Sequence, residues 1–170
     1  MPTYADYFTP DLFFVTCKIM DGEPLLGTSV IIHLLRMVLN EVKRTYPFRT
    51  LGYVFLPDHV HLLVKLTEGV VLDQVIDSLC KQFTRDYQQL MGLPGQMVIW
   101  EPNYQAHKVQ DQQDFAARLD YVHYNPVQHK LVKKPAAWPY SSYQGWLDRG
   151  LYPADWGSIE PESVQGKRWG

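Results

Sequence analysis

Apolar and polar positions in this chain alternate between two periods. Leu12 to Met20 is a β-branched and aromatic run stopped by Asp21-Gly22, which predicts a strand and then a turn. After Thr28, residues Val30, Ile31, Leu34, Leu35, Val38, Leu39 and Val42 recur at helical spacing, and the stripe ends before Pro47. Thr50 to Leu56 and His59 to Leu66 are short apolar runs joined by Pro57-Asp58, a pair that suits a tight antiparallel connection. From Val71 to Met91, residues Leu72, Val75, Ile76, Leu79, Phe83, Tyr87 and Leu90 share a helical face that runs out at Gly92-Leu93-Pro94-Gly95. A short strand is expected over Tyr104 to Val109. A third helix is expected over Asp111 to Tyr124, closed at Asn125-Pro126 because a residue before proline is pushed out of the α region. The order β-α-β-β-α-β is the ferredoxin-like pattern of α+β architectures: an antiparallel sheet, here with an added helix and a Pro-, Trp- and Tyr-rich tail.

Composition narrows the class. At 170 residues the chain predicts one domain, taken as 1–157, with a loose tail over 158–170. Hydrophobic residues at 46% and charged residues at 20% exclude collagen-like, coiled-coil and disordered classes. The net charge of -2 means that any nucleic-acid role must use a local basic patch. Cys17 and Cys80 sit far apart in apolar segments, which suits free thiols and leaves no cysteine zinc site. No basic stretch leads into an apolar run, and no apolar stretch approaches the roughly 18 residues of a membrane span. The expectation is a soluble, cytoplasmic protein with no membrane partner.

Two segments carry candidate chemistry. In Leu56-Pro57-Asp58-His59-Val60-His61-Leu62-Leu63-Val64, strand alternation turns His59 and His61 to one face and Val60, Leu62 and Val64 to the other. Two imidazoles on one face make half a metal site; taken alone, they equally suit two hydrogen-bonded histidines in a partly buried sheet. In Asp120-Tyr121-Val122-His123-Tyr124-Asn125-Pro126-Val127, Phe115, Leu119 and Val122 form the helical core stripe, and Tyr121 and Asn125 lie roughly 80° to 120° from it. Four residues apart, the phenol and the amide can meet at one centre, with the amide oxygen offered to a metal. The bland alternative is a rim tyrosine and a helix-terminal Asn.

Together the segments resemble the single-tyrosine HUH transposases, most closely their REP-associated tyrosine branch. The resemblance rests on Pro57-Asp58-His59-Val60-His61-Leu62-Leu63-Val64 and on Tyr121-x-x-x-Asn125-Pro126-Val127. It extends to Lys81-Gln82-Phe83-Thr84, Trp100 and Trp138-Pro139-Tyr140-Ser141-Ser142-Tyr143, and spans about Leu12 to Trp156. It implies that His59 and His61 bind the metal, that Asn125 is the third ligand, where other single-tyrosine transposases tend to carry Gln, and that Tyr121 is the nucleophile. It further implies Mg²⁺ or Mn²⁺ as cofactor and single-stranded hairpin DNA as partner. The reaction implied is cleavage beside the hairpin through a 5′-phosphotyrosine intermediate that a 3′-OH can reverse. The branch is thought to work as a monomer, whereas related transposases form dimers that exchange the tyrosine helix.

Further DNA contacts are expected from Lys81 and Arg85 on the second helix and from the basic run Lys130, Lys133 and Lys134. Trp100, Tyr104, Trp138, Tyr140 and Tyr143 offer rings for base stacking or for packing. His123 reads as structural, and His33, His107 and His129 have no evident partner. Relatives of the branch tend to carry a basic residue between the Trp and the next aromatic, where this chain reads Trp100-Glu101-Pro102-Asn103-Tyr104. Two other readings stand beside the transposase: a non-catalytic single-stranded nucleic-acid-binding module on the same fold, and a metal-dependent phosphoesterase that uses activated water.

Overall fold

The computed structural model describes residues 2–170. Its centre is a four-stranded antiparallel sheet of β1 (Leu12–Lys18), β2 (Phe48–Phe55), β3 (His59–Leu66) and β4 (Gln105–Lys108), in the spatial order β2-β3-β1-β4. This is the expected α+β, ferredoxin-like arrangement, with the two crossover helices packed together on one face. Helix α1 (Ser29–Thr45) starts at Thr28, whose hydroxyl accepts the Ile31 N–H, and buries Ile31, Ile32, Leu35, Val38, Leu39 and Val42. Helix α2 (Leu72–Met91) buries Val75, Ile76, Leu79 and Phe83 and ends at Gly92, whose φ of 65° is the left-handed turn that glycine adopts without steric cost. Val60, Leu62 and Val64 of β3 point into this layer.

The opposite face of the sheet is covered by α3 (Gln112–Gln128). Asp111 caps it by accepting the Asp114 N–H at 2.8 Å. The helix does not close at Asn125-Pro126 as its sequence suggested; it runs on through Pro126, and the His129 N–H still reaches the Asn125 carbonyl at 2.9 Å. Proline costs that turn one backbone donor, and burial of every residue from 118 to 126 holds the turn helical.

The segment after α3 contains a short helix, α4 (Tyr143–Asp148), that periodicity did not reveal. Before it, residues 138–142 pair along the open edge of β2: the Phe55 N–H donates to Tyr140 O, the Ser142 N–H to Tyr53 O, and Trp138 Nε1 to Phe55 O. The Trp-Pro-Tyr-Ser-Ser-Tyr motif thus closes a strand edge that would otherwise be free to pair with another chain. The expectation of a loose tail over 158–170 is also corrected. Val164 is fully buried, the Gln128 side-chain amide donates to Lys167 O at 3.1 Å, and Trp169 packs against Tyr121. These contacts are set by tertiary structure and leave no periodic trace in the sequence.

Candidate active site

His59 and His61 face α3 from β3, with ring centres 4.8 Å apart. Each is held through Nδ1. Asp58 Oδ1 lies 2.7 Å from Nδ1 of His59, and a carboxylate there takes an N–H from that nitrogen. His61 Nδ1 lies 2.8 Å from the Thr16 hydroxyl on the neighbouring strand, and Phe14 stacks on its ring at 5.3 Å. His61 is fully buried, and burial, with smaller contributions from His59, His129 and Lys18, pushes its pKa well below the ordinary value. It is therefore neutral at pH 7, the form that binds metals.

Tyr121 projects from α3 against the His61 ring, and Asn125 lies one turn further along the same helix. The Tyr121 ring centre lies 5.5 Å from that of His61 and 6.0 Å from that of Phe14. Sequence reasoning set Tyr121 apart from the core face; in the fold it is 2% exposed, because α3 has the sheet on one side and residues 143–169 on the other. Burial raises its pKa, while the Asn125 side chain, the Trp169 backbone and the charges of Arg168 and Arg118 oppose that rise. Asn125 is fully buried, with its amide nitrogen directed at Gln128 Oε1 at 3.4 Å.

The donor set can be tested against a metal directly. Five buried side-chain polar atoms lack a hydrogen-bond partner among the described residues, and three of them are His59 Nε2, His61 Nε2 and Asn125 Oδ1. An unpaired buried polar atom costs about 1–3 kcal/mol, so each of the three suits a partner that is not part of the protein. No group of three or more His, Cys, Asp or Glu that could hold a metal gathers among the described residues.

The chain matches the family model "Transposase IS200 like" over residues 23–125, from before α1 to Asn125. It is 33% identical over 169 residues to the REP-associated tyrosine transposase of Escherichia coli K12, covering 99% of this chain and 98% of that protein. The chain belongs to the IS200-like transposases, in their REP-associated tyrosine branch. A Haemophilus influenzae protein placed in the same group is 30% identical and covers 98% of this chain. A solved REP-associated tyrosine transposase bound to a REP hairpin superposes with a TM-score of 0.76 at 28% identity, over 95% of this chain and 94% of that one. Against this transposase background, the cations expected from sequence lie apart from Tyr121. Lys81 and Arg85 line a groove of about 510 Å³ with Trp100 and Tyr104, on the α2 side of the sheet. Lys130, Lys133 and Lys134 are exposed beyond the end of α3.

The cations that do reach the tyrosine are Arg118 and Arg168, which sequence reasoning missed. Arg118 lies one turn before Tyr121, a helical spacing that could have flagged it; Arg168 had no local signal. His129, which had no evident partner, lies 5.1 Å from His59, ring centre to ring centre. His123 takes the structural place expected of it, with Nδ1 2.8 Å from the Tyr152 hydroxyl and Nε2 2.7 Å from Ser142 Oγ. Of the aromatic residues, Trp100 and Tyr143 are core, Trp138 clamps the β2 edge, and the Tyr104 hydroxyl donates to Asp73. Among the described residues no helix is long and apolar enough to cross a membrane.

Proposed function

We propose that this protein is a metal-dependent transposase that cuts single-stranded DNA beside a hairpin by attack of Tyr121 on the backbone, and rejoins strands by the reverse reaction. The observation that supports the reading is that His59 Nε2, His61 Nε2 and Asn125 Oδ1 are each buried without a hydrogen-bond partner, on the strand and the helix that bring the His61 ring against that of Tyr121. Two imidazoles and an amide oxygen suit Mg²⁺ or Mn²⁺, which when bound supplies Lewis-acid polarisation of a phosphate. Asp58 and Thr16 each hold an imidazole at Nδ1 and fix the orientation of its ring. As the Tyr121 oxygen bonds to phosphorus, the phenol loses its proton and the bond to O3′ breaks, leaving a 5′-phosphotyrosine and a free 3′-OH. Because the new ester replaces the old one, rejoining needs no nucleotide cofactor.

The hairpin as substrate is supported by the relative whose structure holds one. β3 supplies two of the four site residues and α3 the other two, and the packing of α3 on β2 and β3 of its own chain fits a site built in cis by a monomer. With DNA as its substrate, its place of work is the cytoplasm. Trp169 packs against Tyr121, so a backbone phosphate reaches the phenol once that indole moves aside.

Incubation with end-labelled hairpin DNA and Mn²⁺ yields a denaturation-resistant protein-DNA species that Tyr121→Phe or a chelator removes. Cleavage without an adduct would point to the water-using phosphoesterase. Hairpin binding without cleavage, unchanged by chelator and by His59→Ala, would point to the non-catalytic module.

A further inference from the structure

Among the described residues one Lys or Arg is buried: Arg118, 8% exposed, three residues before Tyr121 on α3. Burying a guanidinium is costly unless its charge is compensated and its N–H groups are paired. Here the protein supplies the guanidinium with little pairing, and its terminal nitrogens are not among the buried unpaired atoms, so they keep a path to solvent. Its one hydrogen bond among the described residues runs from Nε to Asp114 Oδ1 at 3.2 Å, and Asp114 also holds His107 at 2.7 Å and the Gln110 N–H at 2.9 Å. The rest of the group lies against rings, with its central carbon 3.6 Å from the Trp169 ring centre and 5.0 Å from that of Phe14. The same two rings flank Tyr121, at 5.1 Å and 6.0 Å.

Residues three apart on a helix project from one side, so Arg118 and Tyr121 share a chamber walled by Phe14 and roofed by Trp169. A cleft of about 270 Å³ lined by Phe14, Thr16, His107, Arg118, Arg168 and Trp169 adjoins it. Any phosphate that meets the Tyr121 oxygen enters this chamber with its negative charge, and Arg118 is the buried cation waiting there. A planar guanidinium with unpaired terminal N–H groups matches a phosphate in geometry as well as charge. The indole stacked on it occupies the position that a nucleobase flanking that phosphate can take over.

We propose that Arg118 is a catalytic residue of the cleavage step: its terminal N–H groups contact a non-bridging oxygen of the phosphate that Tyr121 attacks and offset the charge that grows there. The inference rests on the transposase reading above. Arg118 transfers no proton. The phenolic proton leaves Tyr121 for solvent, the bond from its oxygen to phosphorus forms, the P–O3′ bond breaks, and O3′ keeps the electron pair and takes a proton. The guanidinium stays charged throughout and favours the ionised phenol as well as the phosphate.

The test is single-turnover adduct formation by wild-type protein, Arg118→Gln and Arg118→Lys. Two hairpin substrates are used: one all-phosphodiester, and one in which a methylphosphonate replaces the linkage that wild type cuts. Arg118→Gln forms adduct about 10²–10³-fold more slowly than wild type on the phosphodiester, and Arg118→Lys retains part of the rate. Mn²⁺ binding, followed by electron paramagnetic resonance, is unchanged in both variants. On the methylphosphonate, which lacks the charged oxygen, the deficit shrinks to about tenfold or less. Equal rates for wild type and Arg118→Gln on the phosphodiester overturn the role of Arg118 alone, as does an equal loss on both substrates, which a merely structural residue would give. A wild-type protein that forms no Tyr121 adduct on any hairpin overturns the cleavage reading itself, and the role of Arg118 with it.

Discussion

Two buried histidines, one in the candidate site and one in the core beside it, are kept in states that cost folding energy. His61 and His123 are buried neutral, His61 well below its ordinary pKa and His123 pushed down to about 3 by burial. In the unfolded chain both titrate near 6.5, so below that pH the unfolded state binds more protons than the folded one. Stability is therefore full above about pH 6.5 and is lost as pH falls, at about 1.4 kcal/mol per pH unit for each such group. A series of Tm values from pH 7.5 to 5 shows this decline, and His123→Gln makes it shallower. A second outcome concerns the amide. Mn²⁺ at about 100 times its Kd adds about 2.7 kcal/mol, roughly 5–10 °C in Tm for a chain of this size. Asn125→Ala abolishes that rise while the apo protein still melts cooperatively. The imidazole pair was legible in the sequence because strand alternation is strict. Arg118 was not, because a cation on a helix reads as solvated until a second layer covers it.

Helix α3 decides whether these groups meet. Nine consecutive residues from 118 to 126 are buried, so its polar side chains lie inside on every face. The apolar stripe Phe115, Leu119 and Val122 could be read from spacing, and it packs in the second core. The burial of Tyr121 could not, since the covering residues lie 20 to 50 positions downstream. The approach of α3 to the sheet depends on Gly52, which sits at a register shift in β2, and a Cβ there would come within 2.7 Å of Leu119 Cδ1. Gly52→Val costs about 1–3 kcal/mol by overpacking, read in urea unfolding. It also lowers the rate of adduct formation by more than the loss of folded protein accounts for, because it pushes Tyr121 away from the imidazoles. Gly52→Val with native stability would remove this account of the contact.

For the whole molecule, one carboxylate ties both ends of the chain to the tyrosine helix. Asp120 accepts hydrogen bonds from the hydroxyls of Tyr4 at 2.7 Å, Tyr152 at 3.0 Å and Ser163 at 2.7 Å. Burial holds its pKa above the usual carboxylate range, opposed by those three hydroxyls and by the charge of Lys167. Asp120→Ala leaves three hydroxyls without their acceptor and costs about 1–3 kcal/mol per group that stays buried. Hydrogen exchange then accelerates at residues 3–8 and 160–169 together, while β1 and β3 keep their protection; faster exchange at one end only would show that the ends are not coupled through this residue.

Local physics alone was enough for the order of the four strands and three long helices, though not for α4, and for the pairing of partners within an element. Period-2 and period-3.6 patterns report which side of a strand or helix is apolar, and spacing placed His59 with His61 and Tyr121 with Asn125. Joining the two pairs required the sheet to seat α3 against β3, a contact between residues about 60 positions apart that no periodicity encodes. The roof over Tyr121, the burial of Arg118 and the seating of 158–170 likewise depend on segments that meet only after folding. Burial is a property of what covers a residue, and the covering chain is remote in sequence.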